Sequence, residues 1–393
     1  MKLLLILFSL FNLGICSETT LRKNLFKNYD SGTRPVIDYH DSVKVNFTLK
    51  INSLEYFDQI SEKVKFNMEM TYVWYDKYLK WNKSNYDIKF INIGSEPIWK
   101  PDLELYNSAS SPELWSMEGS IKVYSDGKIR WVLPILYSFS CPLKLKNFPF
   151  DEQTCEMDFG SWKLNKDYLD IRINSEYQES QMDEKLLVNY DNFNHNEWNI
   201  VRIEYETKDI EYLCCPDELW TITKIKIIMN RNYHKYLVVM IMTAFLTISA
   251  LVVNTLPIEN YRRTFILVFI PLSIIWLQLY ISSKIPVIEY STLMERFIST
   301  SYITCITCAI ESGIFYCLLN NNFGIFSFKY KTFELQNYNK NKISMIKKHI
   351  DLGNINSYNF PKIRKIVLFI DELFKLVIVF VYIICSLNIT FNS

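Results

Sequence analysis

The hydrophobic pattern changes character near residue 233. Before it, apolar and polar positions alternate. Val43, Val45, Phe47, Leu49 and Ile51 share one face, with polar residues between most of them, the period-two mark of a half-buried strand. Residues 64–72 and 120–133 repeat the alternation, the second around a turn at Ser125-Asp126-Gly127, and strand signals continue through Ile227. About 200 residues of this kind predict one antiparallel all-β sandwich, immunoglobulin-like, of about ten strands. Ahead of it, residues 21–29 carry the spacing of a short N-terminal helix of about two turns, stopped near Gly32 and Pro35. Beyond residue 233 the alternation gives way to four apolar runs, 237–256, 264–281, 297–319 and 373–391, whose only charged residues are Glu311 and Lys375. Each is long enough to cross the hydrocarbon core of a bilayer as a helix. Together they predict a four-helix transmembrane bundle.

Residues 1–16 read as a secretory signal peptide: Lys2, then an apolar stretch from Leu3 to Leu13 too short to span, then small residues around Gly14-Ile15-Cys16. Residues 17–233 form the expected extracellular domain, 234–319 the first three membrane helices, 320–365 a cytoplasmic loop, and 366–393 the fourth helix with an extracellular tail. Charge agrees with this threading. Arg262 and Arg263 occupy the first short linker, and nine Lys or Arg from Lys329 to Lys365 fill the third, placing both linkers in the cytoplasm and both termini outside. Within the third linker, residues 333–350 have helical spacing and many lysines. That suits an amphipathic helix, and a solvated charge run nearly as well. Asn46 and Asn82 fit the glycosylation acceptor pattern.

Composition narrows the function. A formal net charge of +1 gives no electrostatic case for nucleic acid. The four histidines are scattered, none at ligand spacing, so no metal site is expected. No glycine-rich phosphate loop, Ser/His/Asp set or carboxylate pair appears in motif context. Neither an enzyme nor a cofactor is expected. Aromatic content is 16%, which suits sheets and membrane interfaces.

The most specific stretch is Cys141-Pro-Leu-Lys-Leu-Lys-Asn-Phe-Pro-Phe-Asp-Glu-Gln-Thr-Cys155, with Phe148-Pro149-Phe150-Asp151 at its centre and Phe159-Gly160-Ser161-Trp162 just after it. Taken by spacing alone, the two cysteines could be an ordinary staple. With the central tetrad, the stretch resembles the Cys-loop pentameric ligand-gated ion channels. The whole layout is similar: a β-sandwich, three close spans, a basic loop and a last span. The resemblance implies a Cys141–Cys155 disulfide, with Pro149 holding Phe148 and Phe150 out on a rigid turn.

Further stretches resemble the principal agonist face of nicotinic acetylcholine receptor alpha-type subunits, in divergent form. They are Trp99-Lys-Pro-Asp-Leu-Glu-Leu-Tyr106-Asn107, Phe159–Trp162 and Tyr212-Leu-Cys214-Cys215-Pro-Asp217, with Asn196-Glu-Trp198 in support. The resemblance implies a cage in which Tyr106, Trp162, Tyr212 and Trp220 face a cationic ligand beneath a loop stiffened by a Cys214–Cys215 disulfide. Aromatic faces attract a quaternary ammonium at up to about 2 kcal/mol each when desolvated. Each ring taken singly could equally be core packing. The last aromatic of the family falls one position earlier, at Leu219. On the complementary face Glu69 stands where a tryptophan is usual, so a principal face and a poor complementary one are expected. The other cysteines, Cys305, Cys308, Cys317 and Cys385, lie in apolar runs and read as buried thiols.

In the second span, Phe265, Phe269, Leu272, Trp276, Leu279 and Ser283 share a helical face. The resemblance makes this face pore-lining, with Leu272 the hydrophobic gate and Arg262 at the inner mouth where cation channels carry glutamate. Phe265, Phe269 and Pro271 depart from the family pattern. The resemblance as a whole implies a subunit that binds acetylcholine or a similar cationic neurotransmitter and gates ion flow, in a hetero-pentamer with other receptor subunits. It is expected in a postsynaptic plasma membrane, surrounded by lipid. The alternatives are an auxiliary, non-conducting subunit, an anion-selective member, or a multi-span adhesion protein without channel activity.

Overall fold

The computed structural model describes residues 18–94, 97–114, 119–173, 188–189, 193–319 and 342–391; in the last segment side chains are described from 364 to 388. The signal peptide and the start of the lysine-rich helix in the third linker lie outside the described residues. The chain divides into two compact units, one comprising residues 1–144 and 152–232, the other residues 145–151 and 233–393.

The first unit opens with helix α1 (Glu18–Phe26), three residues earlier than its apolar spacing suggests. Arg22 reaches back to Glu18 at 3.0 Å, an i,i+4 pair that extends the first turn. Among the described residues twelve strands follow, ten of them longer than two residues. One sheet carries β1 (Val43–Asp58), β2 (Lys63–Tyr75), β3 (Phe90–Ile93), β5 (Glu113–Leu114), β6 (Ser120–Tyr124), β7 (Lys128–Ser140), β9 (Leu169–Ile173) and β10 (Val188–Asn189). The other runs β11 (Trp198–Tyr212), β12 (Cys215–Arg231), β8 (Glu152–Ser161), β4 (Leu103–Leu105). A one-turn helix, α2 (Lys83–Tyr86), precedes β3. The alternating residues of β1 are buried as its pattern requires, and they meet Val64, Phe66, Met68 and Met70 of β2 in the core. Phe159 of β8 closes that core from the second sheet, edge-on to Phe47 at 5.9 Å. Gly127 takes a φ of +87° at the β6–β7 turn, the left-handed region glycine enters without steric cost.

Cys141 and Cys155 are joined, and both are fully buried. A bridge across a loop of this size stabilises by about 3 kcal/mol in the chain-entropy model. Cys155→Ser is therefore expected to lower the melting temperature of the purified protein markedly and to cut its expression. Unchanged melting in the variant would contradict this.

Among its described residues, the second unit holds four helices: α3 (His234–Asn254), α4 (Tyr261–Ser282), α5 (Leu293–Leu319) and α6 (Lys342–Phe391). Among the described residues, α3, α4 and α5 are each long and apolar enough to cross a membrane. The fourth apolar run lies within α6. Residues 145–151 cluster with these helices, and their carbonyls finish α5. The amides of Leu293 and Met294 donate to the Lys146 and Phe148 oxygens at 2.9 and 3.2 Å, while Thr292 and Glu295 form a reciprocal cap.

The structure corrects two expectations. Phe148 is not held out on the turn. It is fully buried, edge-on to Tyr236 at 4.8 Å, while Phe150 stays exposed. Cys305 and Cys308 are buried as expected, but Cys317 is exposed and Cys385 partly so, because their positions on α5 and α6 turn away from the neighbouring helices.

A polar knot sits inside this apolar unit. Arg263 of α4, 0% exposed, donates to Glu311 of α5 at 2.8 Å, to Asp371 of α6 at 3.0 Å and to Asn254 of α3 at 2.7 Å. Lys375 holds the other Asp371 oxygen at 2.6 Å. Two acids and two bases from three helices thus balance one another away from water.

Candidate functional site

The aromatic cluster stands where three chain segments meet in the first unit. Residues 99–107 lead through β4 to Tyr106. The end of β8 leads to Trp162. The hairpin of β11 and β12 carries Tyr212, Cys214, Cys215 and Trp220. The β12–β8 ladder ends at the pair Ile222 and Gly160, so Trp220 and Trp162 each lie two residues beyond it. That places the two indoles at the same end of the ladder.

Tyr106 and Trp162 are in ring contact, centroids 4.7 Å apart. The Tyr106 hydroxyl donates to the Ser161 carbonyl at 2.6 Å. Gly160 makes the approach possible, since a Cβ there would lie 2.6 Å from the Tyr106 oxygen. Burial, then the neighbouring Tyr212 and Asp102, push the Tyr106 phenol up to about 12; it stays neutral as a donor. Trp162 itself is 66% exposed, so its ring is free for a ligand rather than spent in the core. Tyr212 and Trp220 meet edge to face at 6.4 Å. The Tyr212 phenol is raised by burial and then by Asp158.

Support comes from residues the motif contains but whose roles its spacing does not disclose. Asp102 accepts from the Ser161 hydroxyl at 2.9 Å and from the Lys163 amide at 3.0 Å, tying the first segment to the Trp162 turn. Asn107 donates to the Glu156 carbonyl at 2.7 Å. Lys166 donates its amide to the Leu219 carbonyl at 2.7 Å and its ammonium to Asp209 at 2.6 Å. Burial pushes the Asp209 carboxyl up, but the bonds from Lys166 and Thr221 outweigh it and hold the group below the usual carboxylate range. A folded-state pKa below the unfolded one contributes stability above the ordinary carboxylate pKa and loses it as pH falls through the folded value. Denaturation of the wild type is thus expected to ease below about pH 4, and Asp209→Asn to flatten that limb. An identical acid limb in the variant would remove the assignment.

The Cys214 and Cys215 sulfurs stand 2.9 Å apart and are thiols in the structure, in contact but outside the bonding distance of about 2.05 Å. Leu219 is exposed beside Trp220, and Trp198 lies fully buried under the Arg231 guanidinium at 4.3 Å, in the core rather than at the site. Glu69 sits on β2 between Lys50 and Pro134, remote in register from the aromatic segments. Asn82 is exposed and caps α2 through its side chain, accepting from the Ser84 amide. Asn46 is partly buried on β1, between β2 and β9.

In α4, Phe265, Phe269, Leu272, Trp276 and Leu279 are all exposed, as is Ser283 just past the helix. Leu267, Ile270, Pro271 and Ile274 pack inward. Phe265 and Phe269 touch edge to face at 4.9 Å. Arg262 is exposed on the same helix, whereas Arg263 is the buried centre of the polar knot.

A sandwich closed by a buried disulfide loop, with paired aromatic rings at the end of its second sheet, followed by long apolar helices, defines a ligand-gated channel architecture. The chain belongs to the family described as "Neurotransmitter-gated ion-channel ligand binding domain", which it matches over residues 18–233. Among its relatives, "Neuronal acetylcholine receptor subunit alpha-6" of Mus musculus is 31% identical over 277 residues, 70% of this chain and 54% of that protein. "Neuronal acetylcholine receptor subunit alpha-3" of Carassius auratus is 31% identical over 276 residues, 68% and 51% of the respective chains. The human alpha-3 subunit is 29% identical over 288 residues, 72% and 55%. The chain spans about half the length of these curated relatives.

Proposed function

We propose that the chain is an alpha-type subunit of a pentameric ligand-gated ion channel in the plasma membrane. It takes acetylcholine or a similar cationic transmitter on its principal face and gates ion flow through a pore lined by α4. The observation that carries this reading is the pairing of Tyr106 with an exposed Trp162 at 4.7 Å, with Tyr212 and Trp220 on the neighbouring hairpin. Electron-rich faces of this kind suit a quaternary ammonium, whose pairing with a single carboxylate would carry a desolvation penalty. Oxidation of the touching Cys214 and Cys215 thiols would stiffen the loop over the cage. Partner subunits would supply the opposite face, since Glu69 stands in place of an aromatic wall. On this reading Asn46 and Asn82 are candidate glycan sites on the extracellular surface.

The test is voltage-clamp recording of the subunit alone and with related subunits under applied acetylcholine. Agonist-evoked current that requires this chain supports the proposal; no agonist effect with any partner ends it. A second reading, an auxiliary non-conducting subunit, is favoured by the exposed Phe265, Phe269 and Trp276 on α4. It predicts that the chain alters assembly or agonist potency of its partners while carrying no current itself. The exposed Arg262 keeps anion selectivity within the same experiment, decided by reversal potentials under chloride substitution.

A further inference from the structure

His195 stands half-buried three residues ahead of β11, where the chain turns into that strand. Its Nδ1 accepts from the backbone amides of Glu197 and Trp198, each at 3.2 Å. A ring nitrogen takes such bonds only while it carries no proton. The turn so made holds the end of the sandwich. The Glu197 carboxylate accepts from Arg231 and from Gln59, each at 3.1 Å. Its carbonyl takes the Asn232 amide at 2.7 Å, and the Asn196 carbonyl takes the Asn232 side-chain amide at 3.1 Å. Trp198 pairs with Arg231 in the β11–β12 ladder and lies under its guanidinium at 4.3 Å. Arg231 and Asn232 are the last residues of the first unit before the chain continues into α3. Three consecutive residues therefore grip that exit, and one imidazole sets their turn.

We propose that His195 is a proton-operated release on this exit. Neutral, it fixes residues 196–198 against Arg231 and Asn232; protonated, it lets them go. An imidazolium donates from both nitrogens, so it faces the two amides as a third donor and turns to the Glu197 carboxylate, in competition with Arg231. Among the described residues, Glu197 acts on the ring from its own segment, and Arg231 stands beyond Glu197 on β12. Gln59 and Asn232 are uncharged, and Asp58 next to Gln59 is spent on the Ile60 amide and the Ser61 hydroxyl. Burial holds the imidazole below the ordinary histidine range, against a smaller upward pull from Glu197. A base whose folded value is depressed stabilises the fold above its ordinary value, about 6.5, and loses that contribution as pH falls through the folded value. The release thus operates on the acid side of neutrality. It rests on bonds within the first unit and is independent of which ligand the aromatic cluster takes.

The experiment follows amide hydrogen exchange of residues 195–200 in the purified full-length chain at about pH 7.5 and about pH 4.5, which bracket the histidine range, with rates corrected for the intrinsic pH dependence of exchange. Acid is expected to speed wild-type exchange at Glu197 and Trp198 about fivefold, the worth of one net hydrogen bond. His195→Asn separates the switch from the turn. An asparagine side-chain oxygen takes the place of Nδ1, accepts from the same amides and does not titrate, so this variant should stay slow at both pH values. His195→Phe has no acceptor and should exchange about fivefold faster than the neutral wild type at both. Wild-type exchange that is the same at both pH values overturns the release, as does an acid response retained in His195→Asn. Slow exchange in His195→Phe at neutral pH overturns it too, by showing that the imidazole does not hold the amides. Should His195→Phe fail to fold, the comparison of wild type with His195→Asn decides.

Discussion

Trp162→Ala is expected to raise the acetylcholine concentration for half-maximal response about 30-fold, with surface expression unchanged. One aromatic face in a partly desolvated cation site is worth about 2 kcal/mol, which converts to that factor. The position is suited to a clean measurement. Trp162 is exposed and contributes nothing to the sandwich core, so its loss removes a wall without opening a cavity. Tyr106 keeps its hydrogen bond to the Ser161 carbonyl, a backbone atom the substitution leaves in place. Trp162→Phe should recover part of the loss, because the ring face matters and the indole nitrogen does not. A variant with unchanged potency would show that the cluster is packing and not a binding site.

The second large effect is expected at Arg263. Arg263→Met leaves the carboxylates of Glu311 and Asp371 buried against Lys375 alone. Removing one partner from a buried ionic group costs about 3–5 kcal/mol, of the order of a whole domain's net stability. Receptors carrying it should melt at markedly lower temperature and reach the cell surface poorly. Replacing Arg263, Glu311 and Asp371 together with apolar residues of similar volume should restore much of what the single change loses, since both buried acids go with the arginine and Lys375 keeps Glu372 at 2.8 Å. If the single and triple variants melted alike, the defect would lie in packing volume and not in charge.

Arg262 and Arg263 also show where reading the chain stops. They are adjacent and identical, and both are legible only as basic residues in a short linker. A helix rotates by about 100° per residue, which carries Arg262 to the exposed side and Arg263 inward. Glu311 and Asp371, its partners, lie 48 and 108 residues further on. Phe148 is the same kind of case. Its turn is visible in the tetrad, but its burial depends on Tyr236, 88 residues away. The legible parts have local physics behind them. The strict alternation of residues 43–51 specifies a strand buried on one face, and the uninterrupted apolar runs specify helices. Three separate motif stretches carry Tyr106, Trp162 and Tyr212, and the first two rings meet in the structure. The support those rings receive from Asp102 and Asn107 involves backbone atoms about 50 to 60 residues distant, and no residue type announces that a main-chain amide or carbonyl is its partner.

The cap on α5 bears on any attempt to study the sandwich by itself. A fragment cut after residue 233 keeps the 145–151 segment but discards the amides of Leu293 and Met294 that its carbonyls satisfy, along with the tyrosine ring that shields Phe148. Such a piece would present a bare aromatic and two orphaned oxygens to solvent, a sticky end that invites aggregation. Soluble dissection should begin by making that tip polar, starting with Phe148→Ser.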